Sequence, residues 1–247
     1  MRPIVKEEGK IHSYSADDID YTIARYEPWS NIFDPFAKPG KYTLDIGAGQ
    51  SDIAAIFRER GAIAFAVDPA YLYLEKLDEQ TSRTFEKDDN EEPFGEQYHR
   101  KFEEAREKFR RDHEENSGFY IPASAENLPL KSNSFDLVFS GQCISTILSR
   151  DYEKLEKSVK EVRRVLKPTS FTGQGGLAVI FPFDHYEQIW RNQEEEARIQ
   201  QENLEQVLRK LKLMPFVKYD LYEIPFLNKP GHPLNTRRLL TIQKTPY

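Results

Sequence analysis

The stretch TLDIGAGQSDIAAIF, Thr43 to Phe57, decides the fold. An apolar run, Tyr42 to Ile46, contains an acid and ends at two glycines that flank one alanine. Ile53, Ala54, Ile56 and Phe57 then recur at helical spacing until Gly61 punctuates the pattern. The order predicts a short buried strand, a glycine turn and an amphipathic helix. Gly47 and Gly49 let the chain turn sharply and let a ligand lie against bare main chain. The helix that follows presents unpaired N–H groups and the positive end of its dipole to that ligand.

Which ligand suits the turn follows from its neighbours. A dinucleotide fingerprint, G-x-G-x-x-G/A, would place its sixth position on Asp52. That carboxylate would repel a pyrophosphate lying at the first helical turn, so the sequence disfavours NAD and FAD. The next apolar run, AIAFAVDP, closes on Asp68, placed to accept hydrogen bonds from both hydroxyls of a ribose. A ligand with ribose and adenine but no phosphates meets no objection.

Further along, apolar runs alternate with helical patterns. FYIPAS and Phe135 to Phe139 read as strands, and DYEKLEKSVKEVRRVLKP reads as a helix with Leu155, Val159, Val162 and Leu166 on one face. GGLAVIFPF is another buried strand, and PFVKYDLYEIPF with RRLLTIQKT reads as an antiparallel pair across LNKPGHPLN. Near-continuous apolar strands separated by helices predict an α/β fold: a Rossmann-like, doubly wound, mostly parallel seven-stranded sheet with a C-terminal antiparallel strand pair and charged helical insertions. Residues 1–247 are read as one domain, with an N-terminal helical segment at 1–40, a charged insertion at 73–117 and a long helix at 184–212. The insertion reads either as a solvated helical excursion or as a cap over the ligand.

Composition narrows the classes of function. A chain that is 38% hydrophobic and 31% charged, with no apolar run long enough to span a bilayer, reads as soluble. The N-terminal MRPIVKEEGKIHSYSADDID lacks the apolar centre of a signal peptide, which points to the cytoplasm. The single Cys143 leaves no intramolecular disulfide and no cysteine cluster for zinc, so no metal site is expected. A net charge of −6 lacks the general attraction for phosphates that nucleic-acid binding draws on, although Arg237 and Arg238 could form a local basic patch.

Together these residues resemble the class I S-adenosylmethionine-dependent methyltransferases. Asp45-x-Gly47-x-Gly49, Asp68 and ASAENLPLKSNSFDLVFS look like that family's first three motifs, and RVLKP, Arg164 to Pro168, looks like the helix end before its fifth strand. The closest likeness is to the branch acting on small molecules, and it covers about Tyr42 to Phe181 apart from the charged insertion. The resemblance implies that Gly47 and Gly49 approach the methionine part of the cofactor while Asp45 holds the loop or meets the amino group. It implies that Asp68 takes the ribose hydroxyls. Ala125 would then offer its N–H to adenine and the side chain of Ser124 would meet the exocyclic amine, with weaker adenine recognition expected unless Glu126 or Asn127 compensates. Ser140 and Gly141 would lie beside the methyl group.

Two positions depart from the pattern. Ser51 stands where a third glycine is usual, and Ser124 stands where an acid is usual, exchanging a charge-assisted contact for a neutral one. Neither the Pro-Cys run of cytosine-C5 methyltransferases nor a DPPY-like run follows the fourth strand; SGQCIS stands there instead. The implied reaction is methyl transfer to a small-molecule acceptor. The alternatives are a non-catalytic cofactor-binding or scaffold protein on the same fold, and an RNA or protein methyltransferase. Methyl transfer from a sulfonium rests mainly on in-line positioning, with a base where the acceptor is a hydroxyl or acidic carbon. The candidates for that base are His185 with Asp184, and Gln142; Asp184 could equally cap the long helix. His12, Tyr14, Tyr21 and Arg25 lie on the N-terminal segment that this resemblance would fold over the cofactor. Tyr219, Tyr222 and Phe226 could line an acceptor pocket or pack the sheet.

Overall fold

A computed structural model describes residues 6–7, 10–11, 29–73, 96–141, 143–169, 175–181, 194–226 and 235–245. Seven strands form one sheet: β1 (Tyr42–Ile46), β2 (Ile63–Val67), β3 (Tyr120–Ile121), β4 (Leu137–Gly141), β5 (Leu177–Phe181), β6 (Val217–Phe226) and β7 (Asn235–Lys244). Their spatial order is β3-β2-β1-β4-β5-β7-β6. The first five pair in parallel, and β7 runs antiparallel to both β5 and β6. The predicted sheet and its closing antiparallel pair are both present. From β1 the chain steps outward to β2 and β3, then returns to place β4 on the other side of β1. The carboxyl ends of β1 and β4 therefore flank a topological switch point, where a doubly wound sheet leaves its crevice.

Helices cover both faces. A single turn, α1 (Ser30–Phe33), with α2 (Ile53–Glu59) and α3 (Glu96–Glu115), lies over one; α4 (Tyr152–Val165) and α5 (Glu194–Leu213) lie over the other. Side chains alternate across the strands, so Leu137, Phe139, Leu177, Val179 and Phe181 face α1 to α3 while Val138, Ala178 and Ile180 face α4 and α5. Under α1, Phe33 packs edge-on against Phe139 at 5.0 Å between ring centroids, and Trp29 meets Phe181 at 4.9 Å. Each such ring, removed from water, contributes about 2 kcal/mol.

Four boundaries differ from the sequence reading. The third strand shrinks to Tyr120–Ile121. The fourth begins at Leu137, because Phe135 bridges to Leu166 instead and Asp136 turns to Lys41, Lys167 and the Tyr42 N–H. Within 1–40, where a helical segment is expected, Lys6–Glu7 pairs antiparallel with Lys10–Ile11 and Ser30–Phe33 is helical, while residues 1–5, 8–9 and 12–28 lie outside the described residues. Of the helix expected over 184–212, Glu194–Leu213 is described and what precedes Glu194 lies outside the described residues.

A further difference is the largest. Part of the charged stretch at 73–117 is α3, the crossover that brings the chain from β2 back in parallel to β3. Parallel neighbours require such a helix. The stretch is therefore part of the sheet's winding, with Ala105, Arg106 and Phe109 buried, and only residues 74–95 of it lie outside the described residues. No helix among the described residues is long and apolar enough to cross a membrane.

Candidate functional site

The glycine turn sits at the switch point. Gly47 and Gly49 have φ of +70° and +50°, conformations that side chains rarely adopt. A Cβ on Gly47 would overlap the Cys143 side chain, whereas nothing lies within 4 Å of one on Gly49. The first glycine thus admits the turn after β4, and the second leaves an open face. Gly47 donates its N–H to the Val67 carbonyl at 2.7 Å, tying the loop to the end of β2. Ser51 replaces a third glycine with a latch: its hydroxyl donates to Asp45 at 3.1 Å and accepts the Ile53 N–H at 3.1 Å. Asp52, at the start of α2, makes no side-chain capping bond, so Ser51 takes one of the orphan donors at that helix end.

Asp68 bridges two turns. One carboxylate oxygen accepts the Gly49 N–H at 3.0 Å, and the other accepts the Ala70 N–H at 2.8 Å. Each oxygen keeps a further acceptor site, which a diol could fill. Tyr71 donates its hydroxyl to the Gly49 carbonyl at 2.9 Å. Burial, with Asp45 and Asp68 nearby, pushes its phenol well above the ordinary range, so the hydroxyl keeps its proton.

Acids dominate this end of the sheet. Burial pushes Asp45 up to about 7, the Ser51 hydrogen bond partly opposing it and the charges of Asp68 and Asp52 adding to it. Burial with Asp68, Glu126 and Asp45 pushes the Cys143 thiol up to about 12, which keeps it a thiol and removes it as a nucleophile at neutral pH. The charges of Asp68, Glu126 and Asp45 therefore converge on one small side chain. Such a cradle repels a pyrophosphate and favours a cationic group with hydroxyls beside it. Among the described residues no cluster of His, Cys, Asp and Glu could hold a metal ion.

The SAENLPL run after β3 is held from below by α4. Glu161 accepts the Leu128 N–H at 2.9 Å, while Arg164 donates to the carbonyls of Leu128 and Leu130 at 2.9 and 2.7 Å. Arg164 and Glu161 also pair with each other at 2.7 Å. One ion pair on a single helical face thus grips both main-chain groups of Leu128 and sets the loop carrying Ser124, Ala125 and Glu126. Ala125 is buried; Ser124 and Glu126 are half-buried.

Gly47 lies against Cys143, whose thiol feels the charges of Asp68, Glu126 and Asp45, and Gly49 is bonded to Asp68. Ser140 is buried and accepts the Ile144 N–H at 3.3 Å, so its side chain shapes the turn after β4; Gly141 ends that strand. Tyr219 and Tyr222 pack onto opposite faces of the sheet. Gln142, Asp184 and His185 lie outside the described residues, as do His12, Tyr14, Tyr21 and Arg25. The residues that the sequence reading passed over are Tyr71, Glu161, Arg164 and Arg106. The RVLKP likeness contained Arg164, but a surface arginine and a loop-gripping one look identical until the loop it faces is known.

No curated protein matches the chain. The sequence model described as "Methyltransferase domain" matches residues 96–172, from α3 through the end of α4. The match covers under a third of the chain and marks a likeness to that domain. Solved structures agree in fold. A S-adenosylmethionine-dependent methyltransferase from Methanosarcina mazei is 15% identical, with a TM-score of 0.50 over 87% of this chain and 97% of that one. The 1,6-didemethyltoxoflavin-N1-methyltransferase of Burkholderia thailandensis is also 15% identical, with a TM-score of 0.50 over 93% and 80%. Phosphoethanolamine N-methyltransferase 2 of Haemonchus contortus is 18% identical, with a TM-score of 0.51 over 87% of this chain and 52% of that chain. The chain shares their fold, and the family match begins inside the stretch that its charge density had set apart.

Proposed function

We propose that the chain transfers a methyl group from S-adenosylmethionine to a small-molecule acceptor. The observation that carries this is the acid-lined glycine loop at the switch point. It offers bare main chain, a bridging carboxylate with acceptor sites to spare, and negative charge where a pyrophosphate could not lie. Bound there, the cofactor supplies a methyl group on a cationic sulfur, which an acceptor takes in line. Asp45, Gly47 and Gly49 hold the methionine end, with the loop acids attracting its ammonium and sulfonium charges. Asp68 takes the ribose hydroxyls. Ala125 offers its N–H to adenine, with Ser124 and Glu126 beside it. Ser140 and Gly141 border the methyl group, and Gln142, Asp184 and His185 are the candidates for handling an acceptor proton.

Two observations support a small acceptor. The chain carries a net charge of −6, which opposes a polyanionic substrate. Two of the matched structures contain small-molecule acceptors or their relatives alongside S-adenosylhomocysteine, a likeness of fold that makes the same use of this site reasonable. Calorimetry tests the reading directly: S-adenosylmethionine and S-adenosylhomocysteine should bind with a stoichiometry of one, and the absence of heat from either at about millimolar concentration overturns it.

A further inference from the structure

We propose that the charged crossover helix α3 braces the glycine loop, with Arg106 and Tyr71 as positioning residues that fix Gly49 and Gln50 for the cofactor. This rests on the reading of that loop as the cofactor site. Arg106 breaks the apolar face of α3. It lies between Ala105 and Phe109, is only 4% exposed, and donates from Nε to the Gln50 side-chain oxygen at 3.0 Å. On its other side it pairs with Glu103 at 2.6 Å. Gln50, also buried, is the loop residue that follows Gly49. An arginine buried beside the sheet costs stability unless it is hydrogen-bonded, and an apolar residue would pack the same place at no such cost. Its bond into the loop gives the position a use that packing does not.

Tyr71 makes the second strut. Its hydroxyl donates to the Gly49 carbonyl, and its ring stacks on Phe109 of α3 at 6.0 Å, with an angle of 22° between planes. Tyr120 and His113 close around the same rings at 5.4 and 6.2 Å from Tyr71. Gly49 is therefore held at its N–H by Asp68 and at its carbonyl by Tyr71, while the next residue is held through its side chain by α3. A glycine at φ +50° samples many conformations in a free loop, and each one forgone before binding is ordering that the cofactor need not impose.

The test pairs a cofactor readout with one that needs no cofactor. Tyr71→Phe removes only the hydroxyl and keeps the stacked ring; Arg106→Ala removes the other strut, and Arg106→Lys keeps a buried donor. Calorimetry with S-adenosylhomocysteine should show Kd raised about fivefold for Tyr71→Phe and about tenfold for Arg106→Ala, with part of the loss recovered in Arg106→Lys. Hydrogen exchange on the ligand-free proteins should show faster exchange at loop amides 47 to 53 in both disruptive variants, with β4 and β5 unchanged. Unchanged Kd values and unchanged loop exchange, with only a lowered melting temperature, would mean the two residues merely pack, and the proposal fails. If wild type binds neither cofactor form, the reading of the site fails; faster loop exchange in the variants would then leave the brace standing without that ligand, and unchanged exchange would remove it.

Discussion

Two helices of this molecule look alike in sequence and are attached in opposite ways. Both α3 and α5 are 20 residues long and dense in charge. On α5 the buried positions Ala197, Gln200, Leu204, Val207 and Leu211 recur three and four apart, and the helix lies on the sheet by an apolar stripe. On α3 the described anchors are mostly polar or aromatic. Arg58 of α2 pairs with Asp112, Tyr120 donates to the same carboxylate, Asn116 donates to it at 2.9 Å, and Arg106 reaches Gln50. Apolar attachment is tolerant in direction, and the polar bonds that α5 makes, such as Asn203 to the Ser149 carbonyl at 2.7 Å, end outside the glycine loop. Hydrogen-bonded attachment is directional, and on α3 it ends in the loop.

The sharpest way to break this contrast is Asp112→Ala. Burial alone would raise its carboxyl, but the bonds from Arg58 and Tyr120 hold it below the ordinary range. Arg58 and Asp112 side chains are only 9% and 12% exposed, so truncation strands a buried guanidinium and should cost about 3–5 kcal/mol in urea unfolding. Leu204→Ala on α5 should cost about 3 kcal/mol by cavity formation, yet leave the Kd for S-adenosylhomocysteine within twofold of wild type. A weakened Kd there would erase the distinction between the helices. Asp68→Ala should weaken cofactor binding by about 2 kcal/mol in calorimetry and, with the bonds to the Gly49 and Ala70 N–H groups lost, lower stability by about 1–2 kcal/mol; an unchanged affinity would remove Asp68 from the site.

A further expected effect is in pH, spread over several units. Asp45 moves from 3.8 to about 7 on folding, so between these values the folded chain holds a proton that the unfolded chain has released. Stability should therefore fall as pH rises through that window, by up to about 1 kcal/mol per pH unit. Asp45→Asn should flatten the slope. A cationic cofactor favours the ionised acid, so its binding should strengthen toward pH 8 in wild type and lose that dependence in the variant. Urea melts and calorimetry at pH 5.5, 6.5 and 7.5 read both slopes.

The contrast also explains what the sequence could reveal. Strands β1, β2 and β5, the glycine turn and α4 were legible because their apolar spacing is set by local geometry, and both glycines stand where φ is positive. The antiparallel close of the sheet was legible because a Pro/Gly-rich stretch separates its two strands. Helix α3 reads in sequence as a helical excursion or a cap because its attachment is carried by Arg106 and Asp112, residue types that ordinarily mark a solvated face. Charge states what a side chain carries, and only the fold states what it meets. In the site, Asp45, Gly47, Gly49 and Asp68 fell together because they end adjacent strands. Tyr71, Glu161 and Arg164 act through main-chain groups distant in sequence, and no local pattern marks them. Ser51 was read as a departure from a glycine pattern; its hydroxyl bonds to Asp45 and Ile53 give it a positive use.

The overlap between Gly47 and Cys143 carries a consequence for how such a sequence can drift. A side chain at position 47 would occupy space that Cys143 already takes, so position 47 cannot grow on its own. Among relatives that share this turn, any residue bearing a Cβ at position 47 should travel with glycine at position 143. Two sites far apart in the chain would then be inherited as one character, visible as paired substitution wherever enough sequences are gathered.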